Sequence, residues 1–268
     1  MASILLGEDS LYPDQYDASL LGGIPRNPSA HKMLGMDVWN AYELSWLAAN
    51  GLPQVAIAEF SFDAANPNIV ESKSFKYYLN SLNQSYFESV EALSRCLKAD
   101  LSAVAGGVVL VDIYDVADEA LGFEPIPGHC IDTEAYERNS RDGVADVSLL
   151  KKDGGQPQVH EQLYSHLFKS NCPVTGQPDW ATVWIEYEGE KIDRASLLAY
   201  IVSYRKHQGF HESCVEGIYC DLMSRFELKS LAVYARYTRR GGLDINPLRA
   251  SENLAQAIRL PFGRTLRQ

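Results

Sequence analysis

The chain has 268 residues, 46% hydrophobic and 22% charged, with a formal net charge of −11. That balance is expected of a soluble globular protein with room for one large domain or two ordinary ones. It excludes a general binder of nucleic acid or anionic membrane, which needs a basic face. No stretch approaches the roughly 18 apolar residues of a membrane helix. The opening MASILLGEDS lacks the features of a secretory leader. The five cysteines, Cys96, Cys130, Cys172, Cys214 and Cys220, are odd in number and scattered, so the expected compartment is the reducing cytoplasm.

Residues 1–35, with Pro13, Pro25, Pro28 and the Gly22-Gly23 pair, read as an extended arm. A first module is expected over 36–117. Its residues 40–47 and 54–62 read as strands joined at Asn50-Gly51, a hairpin by its turn chemistry. In VESKSFK (70–76) an acid ends a strand and two lysines open a helix. Ser85 with Glu88 has the form of a capping box, and Tyr86, Val90, Leu93 and Leu97 follow at helical spacing. Residues 103–116 return to strand composition, with a glycine pair that suggests a bulge.

Pro125, Pro127, Asp142-Gly143 and KKDGGQ (151–156) mark residues 118–160 as loops and a linker. A second module is expected over 161–268. It reads as a strand at 181–187 and a turn at Glu188-Gly189. Asp193 then caps a helix with Leu197, Leu198, Ile201 and Val202 on its apolar side. A second helix spans about 211–226, and a strand at 231–237 is closed by Gly241-Gly242. Strand, strand, helix, helix, strand, given twice, implies an α+β fold with antiparallel sheets and helices gathered on one side.

Four segments could carry chemistry. Cys172 lies in FKSNCPVTGQPDW (168–180), where Pro173, Gly176 and Pro178 predict an irregular loop, and Asp179 follows as a possible proton donor. A thiol there is a candidate nucleophile; on spacing alone the plainer reading is a small half-buried cysteine beside a turn. Glu71 with Lys73 and Lys76 stands at a helix start, which suits an anion. His211-Glu212 opens another helix, where a buried carboxylate can accept two hydrogen bonds from an N–C–N edge such as guanine's, or the pair can face water. In YTRRGGLDINP (237–247), glycines permit close backbone approach and arginine suits phosphate. His211 and Cys214 share a helix face and Cys172 could join them on zinc, although no CxxC pair is present. There is no GxGxxG and no GxSxG.

Taken together, VESKSFK with NSLN (80–83), SNCPVTGQPDW (170–180), FHE (210–212) and RYTRRGGLDINP (236–247) closely resemble the 7-cyano-7-deazaguanine reductases, the nitrile reductases of queuosine biosynthesis. YDASLLGGIPR (16–26), YELSWL (42–47) and GLPQVA (51–56) resemble the longer, two-module branch. The resemblance implies tandem tunnelling-fold modules, each an antiparallel sheet backed by a helix pair, in a homodimer. It implies a four-electron, NADPH-dependent reduction of the nitrile to an aminomethyl group. Cys172 would form a thioimide and Asp179 would give the proton. Val70, Glu71, Ser72, His211 and Glu212 would hold the 7-deazaguanine base. Ser72, Lys73, Arg240 and Gly241 would hold NADPH. The partner would be a free base and not nucleic acid or membrane. The alternatives are a zinc-dependent purine or pterin hydrolase of the same fold, using Cys172, His211 and Cys214, and a non-catalytic purine-binding module.

Overall fold

The computed structural model of the chain describes residues 12–29, 31–118, 122–136, 144–154, 158–252 and 260–268. The opening MASILLGEDS and Asp142-Gly143 lie outside the described residues. Eight strands form one sheet. In the first half of the chain these are β2 (Leu34–Leu47), β3 (Pro53–Asp63) and β5 (Val109–Tyr114), with helices α1 (Ser72–Ser81) and α2 (Val90–Ala105) between β3 and β5. In the second half they are β6 (His129–Cys130), β7 (Val159–Asn171), β8 (Pro178–Gly189) and β9 (Leu228–Tyr237), with α3 (Arg194–Ser203) and α4 (His211–Arg225) between β8 and β9. The last strand, β10 (Leu243–Ala250), joins the halves. It pairs antiparallel with β2, Leu243 opposite Ala41 through Ala250 opposite Leu34, and on its other edge with β9. The sheet order is β5-β3-β2-β10-β9-β8-β7-β6. The fold is α+β with antiparallel pairing between the long strands, and the doubled order of elements expected from the sequence is present.

Each helix pair covers its own half of the sheet. Leu93, Leu97 and Leu101 of α2, with Phe75 and Tyr78 of α1, pack on Trp39, Phe60 and Val111. Phe75 sits edge-on to both Phe60 and Trp39, with ring centroids 5.0 and 5.5 Å apart. Leu197, Leu198 and Ile201 of α3, with Val215 and Ile218 of α4, pack on Phe168, Val183 and Val233. A smaller cluster on the sheet's other face gathers Trp184, Tyr234, Leu248 and Phe262.

Two local expectations are corrected, and other elements add to what the sequence marked. Ser85 and Glu88 do not cap α2: the cap is Ser89, whose hydroxyl accepts from Ala92 N, while Ser85 Oγ receives Tyr16 N. The glycine pair at 106–107 is no bulge; α2 runs to Ala105, and Gly106, at φ 75°, closes it in the left-handed conformation glycine tolerates. β7 was hidden in the sequence by its mixture of polar residues, and β10 by Pro247 and its polar residues Asp244, Asn246 and Arg249. The 118–160 stretch, expected as linker, contributes to the second half: β6 pairs parallel with β7, and Ile131 and Leu150 are fully buried. The arm is also fastened. Its β1 (Gly23–Pro25) pairs antiparallel with the short strand β4 (Asn68–Val70), directly ahead of α1. No described helix is long and apolar enough to cross a membrane.

Candidate active site

A pocket at the junction of the two halves is lined by Val70, Glu71 and Ser72 from the start of α1, and by Cys172 and Asp179 from the β7–β8 hairpin. His211 and Glu212 from the start of α4, Arg240 from the β9–β10 turn, and Trp39 and Ile245 from the sheet complete it. Each part has a local cause. The hairpin loop 172–177 is closed by Cys172 N donating to Gln177 O (2.9 Å) and Gly176 N to Cys172 O (2.9 Å), with Gly176 at φ 69°. Backbone bonds Asn171 N to His207 O (2.8 Å) and Gly209 N to Asn171 O (3.1 Å) lay the approach to α4 along the end of β7, which brings His211 beside the loop. Arg240 and Leu243 exchange backbone bonds across Gly241 and Gly242, both at positive φ (55° and 77°). The positive φ at both positions is what requires glycine; a Cβ at Gly242 would stand 2.5 Å from the Glu43 carboxyl carbon, which Glu43 could relieve by moving.

The charges are closely matched. Asp179 is almost fully buried, yet Arg240 Nη1 reaches its Oδ1 at 2.8 Å and His211 Nε2 its Oδ2 at 3.4 Å. The His211 ring lies on Tyr237, centroids 3.8 Å apart, which fixes its plane. Burial is the largest influence on the Cys172 thiol and raises its pKa; hydrogen bonds from the Thr175 hydroxyl and the Thr175 and Val174 N–H groups outweigh it, and the net shift is downward. Glu212, 2% exposed, is pushed up to about 8 by burial and by the nearby Asp37 carboxylate. The Glu71 carboxylate caps α1, accepting from Lys73 N (2.8 Å) and Ser74 N (2.6 Å). Lys76, half-buried, is shifted down by burial and by Arg240.

Residues 12–113 match the family described as "Nitrile reductase, 7-cyano-7-deazaguanine-reductase N-term", and residues 178–256 match "QueF-like protein". A protein of Saccharophagus degradans named NADPH-dependent 7-cyano-7-deazaguanine reductase is 51% identical, with all of both chains covered. Proteins of the same name from Teredinibacter turnerae and Paraburkholderia phymatum are 51% and 49% identical, over 93% and 98% of this chain and 92% and 97% of theirs. The chain belongs to the 7-cyano-7-deazaguanine reductase family.

For a member of this family, the pocket gathers eight of the ten residues expected from the sequence: Val70, Glu71, Ser72, Cys172, Asp179, His211, Glu212 and Arg240. Two lie apart. Gly241 belongs to a neighbouring cleft of about 290 Å³, shared with Lys76, Asn80, Asn83 and Glu43. Lys73 is exposed on the outer side of α1, its Nζ 5.8 Å from the Tyr77 ring centroid. Sequence reasoning passed over Tyr237, Thr175 and the floor residue Trp39; only Thr175, in the turn after the thiol, left a readable signal. The zinc trio is not assembled: among the described residues the ligand atoms of Cys172, His211 and Cys214 do not form a cluster within 4.8 Å, and burial pushes the Cys214 thiol up to about 12. A group that does cluster, Cys130 of β6, Asp132 in the turn after it and His166 of β7, lies away from the pocket. There the Asp132 carboxylate is occupied by Ser165 Oγ and His166 N.

Proposed function

We propose that this chain reduces the nitrile of 7-cyano-7-deazaguanine to the aminomethyl group with NADPH, a step of queuosine biosynthesis. One observation carries the reading: the half-buried Cys172 thiol, shifted towards the thiolate, lines the same pocket as two carboxylates suited to a purine edge and a third suited to proton transfer. A nitrile carbon is a poor electrophile. Attack by the Cys172 thiolate forms the S–C bond, breaks one C≡N π bond and leaves a thioimide once the nitrogen is protonated. Asp179, beside His211, is the proposed source of that proton. Glu212, once ionised, accepts from the ring N–H and exocyclic amine of the base, and Glu71, with capacity left beyond its capping bonds, borders the same cavity.

The residues present fit a phosphate-bearing cofactor. Gly241 exposes backbone to the cleft beside Lys76, and a Cβ there would stand 3.1 Å from Lys76 Nζ. Arg240 borders the pocket and a small adjoining cavity that it shares with Ser72 and Lys76, and Ser72 opens α1, whose N-terminus favours an anion. NADPH, when bound, supplies hydride, and the conversion of nitrile to amine consumes two equivalents. The exposed Lys73 serves the cofactor's outer phosphate and not the reacting centre.

A homodimer is part of the proposal. The sheet's two edges are β5 and β6, and β5 presents the exposed Leu110, so a second copy would relieve open edges. The place of action is the cytoplasm, where the thiol stays reduced. The test is NADPH oxidation on adding the nitrile base, together with intact mass of the enzyme–base adduct. Oxidation and an adduct that vanish together in Cys172→Ala are expected. An adduct that survives the substitution overturns the nucleophile, and stoichiometric zinc in active protein would return the hydrolase alternative.

A further inference from the structure

Below the pocket lies a buried group of charges that the reaction does not use. Arg249 of β10, fully buried, places Nη1 2.7 Å from Asp37 Oδ1 and Nη2 2.7 Å from Glu216 Oε1. Arg26, just past β1, binds the same two carboxylates, Glu216 Oε1 at 3.1 Å and Asp37 through Nη2. Two guanidiniums thus alternate with two carboxylates. Glu216 stands one helical turn after Glu212 on α4, on the same face, and Asp37 acts on Glu212 directly.

Arg26 holds more than these ions. Its backbone N donates to Pro67 O (2.9 Å) and its Nε to Asn66 O (3.0 Å). The segment it grips runs straight on through β4 into Glu71 and Ser72. Just upstream, Glu71 N donates to Gly22 O (2.8 Å) and Gly22 N to Ser74 Oγ (3.0 Å). One side of Arg26 is therefore tied to the strand that delivers Val70, Glu71 and Ser72, and the other to the helix that delivers His211 and Glu212. A guanidinium can do this because its donors diverge in a rigid plane, one here to a carbonyl and two to carboxylates. Its side chain is 10% exposed, and a charge so buried must be paired.

We propose that Arg26 is a positioning residue for base recognition, which fixes the spacing between the Glu71 and Glu212 sides of the pocket and, with Arg249, sets the charge around Glu212. The inference rests on the reading of this pocket as the base site. β10 sets the coarse distance between the halves, and Arg26 sets the fine distance. The groups that bear on Glu212 are Asp37 from β2, Arg249 from β10 and Tyr237 from β9, with Arg26 itself from the arm. From its own helix Cys214 also bears on it, and Glu216, one turn on, holds both of the guanidiniums. Arg26 is one of only two cations in that set, so its removal leaves the ionised Glu212 less favoured.

The test uses the full chain carrying Cys172→Ala, in which the nitrile base binds without a covalent bond. Base affinity is measured by calorimetry from about pH 6 to about pH 9, beside NADPH affinity, in this parent and with Arg26→Met or Arg26→Lys added. Arg26→Met is expected to weaken the base by about tenfold or more, leave NADPH within about twofold, and move the midpoint of the pH profile upward. Arg26→Lys, which keeps the charge and loses the fork, is expected to restore the midpoint but only part of the affinity. Base affinity and midpoint unchanged from the parent, even with a lowered Tm, would overturn the proposal, as would equal losses for base and NADPH. If Arg26→Met does not fold, Arg26→Lys decides alone: a base affinity equal to the parent's overturns the proposal. A parent that binds no base at all sinks the underlying reading of the site, a different failure from an Arg26 effect that is missing.

Discussion

The first and second halves of the chain lay down two long strands, two helices and a further strand in the same order, and they differ most at their helix starts. α2 and α3 begin with ordinary caps, Ser89 accepting from Ala92 N and Asp193 from Ser196 N. α1 and α4 begin at the pocket. α1 is capped by Glu71, an unusual length of side chain for the task, and α4 has no side-chain cap at all and puts His211 and Glu212 into its first turn. The hairpins differ in the same way. Between β2 and β3 a short turn at Gly51, φ 82°, carries no reactive group, whereas between β7 and β8 the loop carries Cys172. Duplicated architecture supplied two of everything; chemistry occupies one helix start from each half and one hairpin of the two.

Substitutions can break this comparison, beginning with the hairpins. Cys172→Ala is expected to lower kcat on the order of 10⁴-fold or more, read by NADPH oxidation, while Asn50→Ala in the other hairpin leaves kcat unchanged. Arg240→Ala is expected to raise the KM for NADPH about 10- to 100-fold, the worth of charge-assisted hydrogen bonds, with little change in base affinity. The reverse pattern would exchange the two subsites.

Glu212 gives a pH signature. Its carboxyl holds a proton more tightly folded than unfolded, so the stability it contributes is present in acid and is lost as pH rises through about 8. Glu212→Gln cannot lose a proton, and its Tm should gain on the parent's steadily from about pH 5 to about pH 9 while base affinity falls. A difference in Tm that does not vary with pH would refute the assignment. Smallest is the ordinary cap: Ser89→Ala should cost about 1 kcal/mol by denaturant titration and leave kcat/KM untouched.

Much of this was legible in the sequence because the signals were local. Asp193 is a cap of ordinary kind, the 3.6-residue spacing of Leu93 and Leu97 lies on a buried face, and Asn50-Gly51 turns a hairpin. What was missed depended on partners far along the chain. β10 contains Pro247 and a run of polar residues, Asp244, Asn246 and Arg249, all buried, which no alternation pattern would mark as a strand. They are tolerated because Asn40 Nδ2 donates to Asp244 Oδ1 (2.8 Å) and Arg249 is paired with Asp37 and Glu216. Ser85-Glu88 misled because a capping box is only a pattern of residue types until the chain turns there. The site motifs were readable as a set, since Glu71, Cys172, His211 and Arg240 each sit where a strand or turn ends. Of the side chains that hold them in place, Arg26 and Tyr237 lie inside recognisable motifs whose residue types do not show that role, and Asp37 lies in none.

The pairing of β10 with β2 also has a consequence for synthesis. On the ribosome, β2 and β3 emerge early, but the edge of β2 that β10 will cover stays open until about 200 further residues have been made, on the order of 10 to 40 seconds at ordinary elongation rates. During that interval the nascent first half presents Asp37 without Arg249, and the edge of β2 from Leu34 to Ala41 has no strand beside it. Arg26, already outside the exit tunnel, is the one cation of the buried group available to neutralise Asp37 meanwhile. Chains with a shortened arm are therefore expected to aggregate during expression, read as the insoluble fraction, before they show any defect in the folded enzyme.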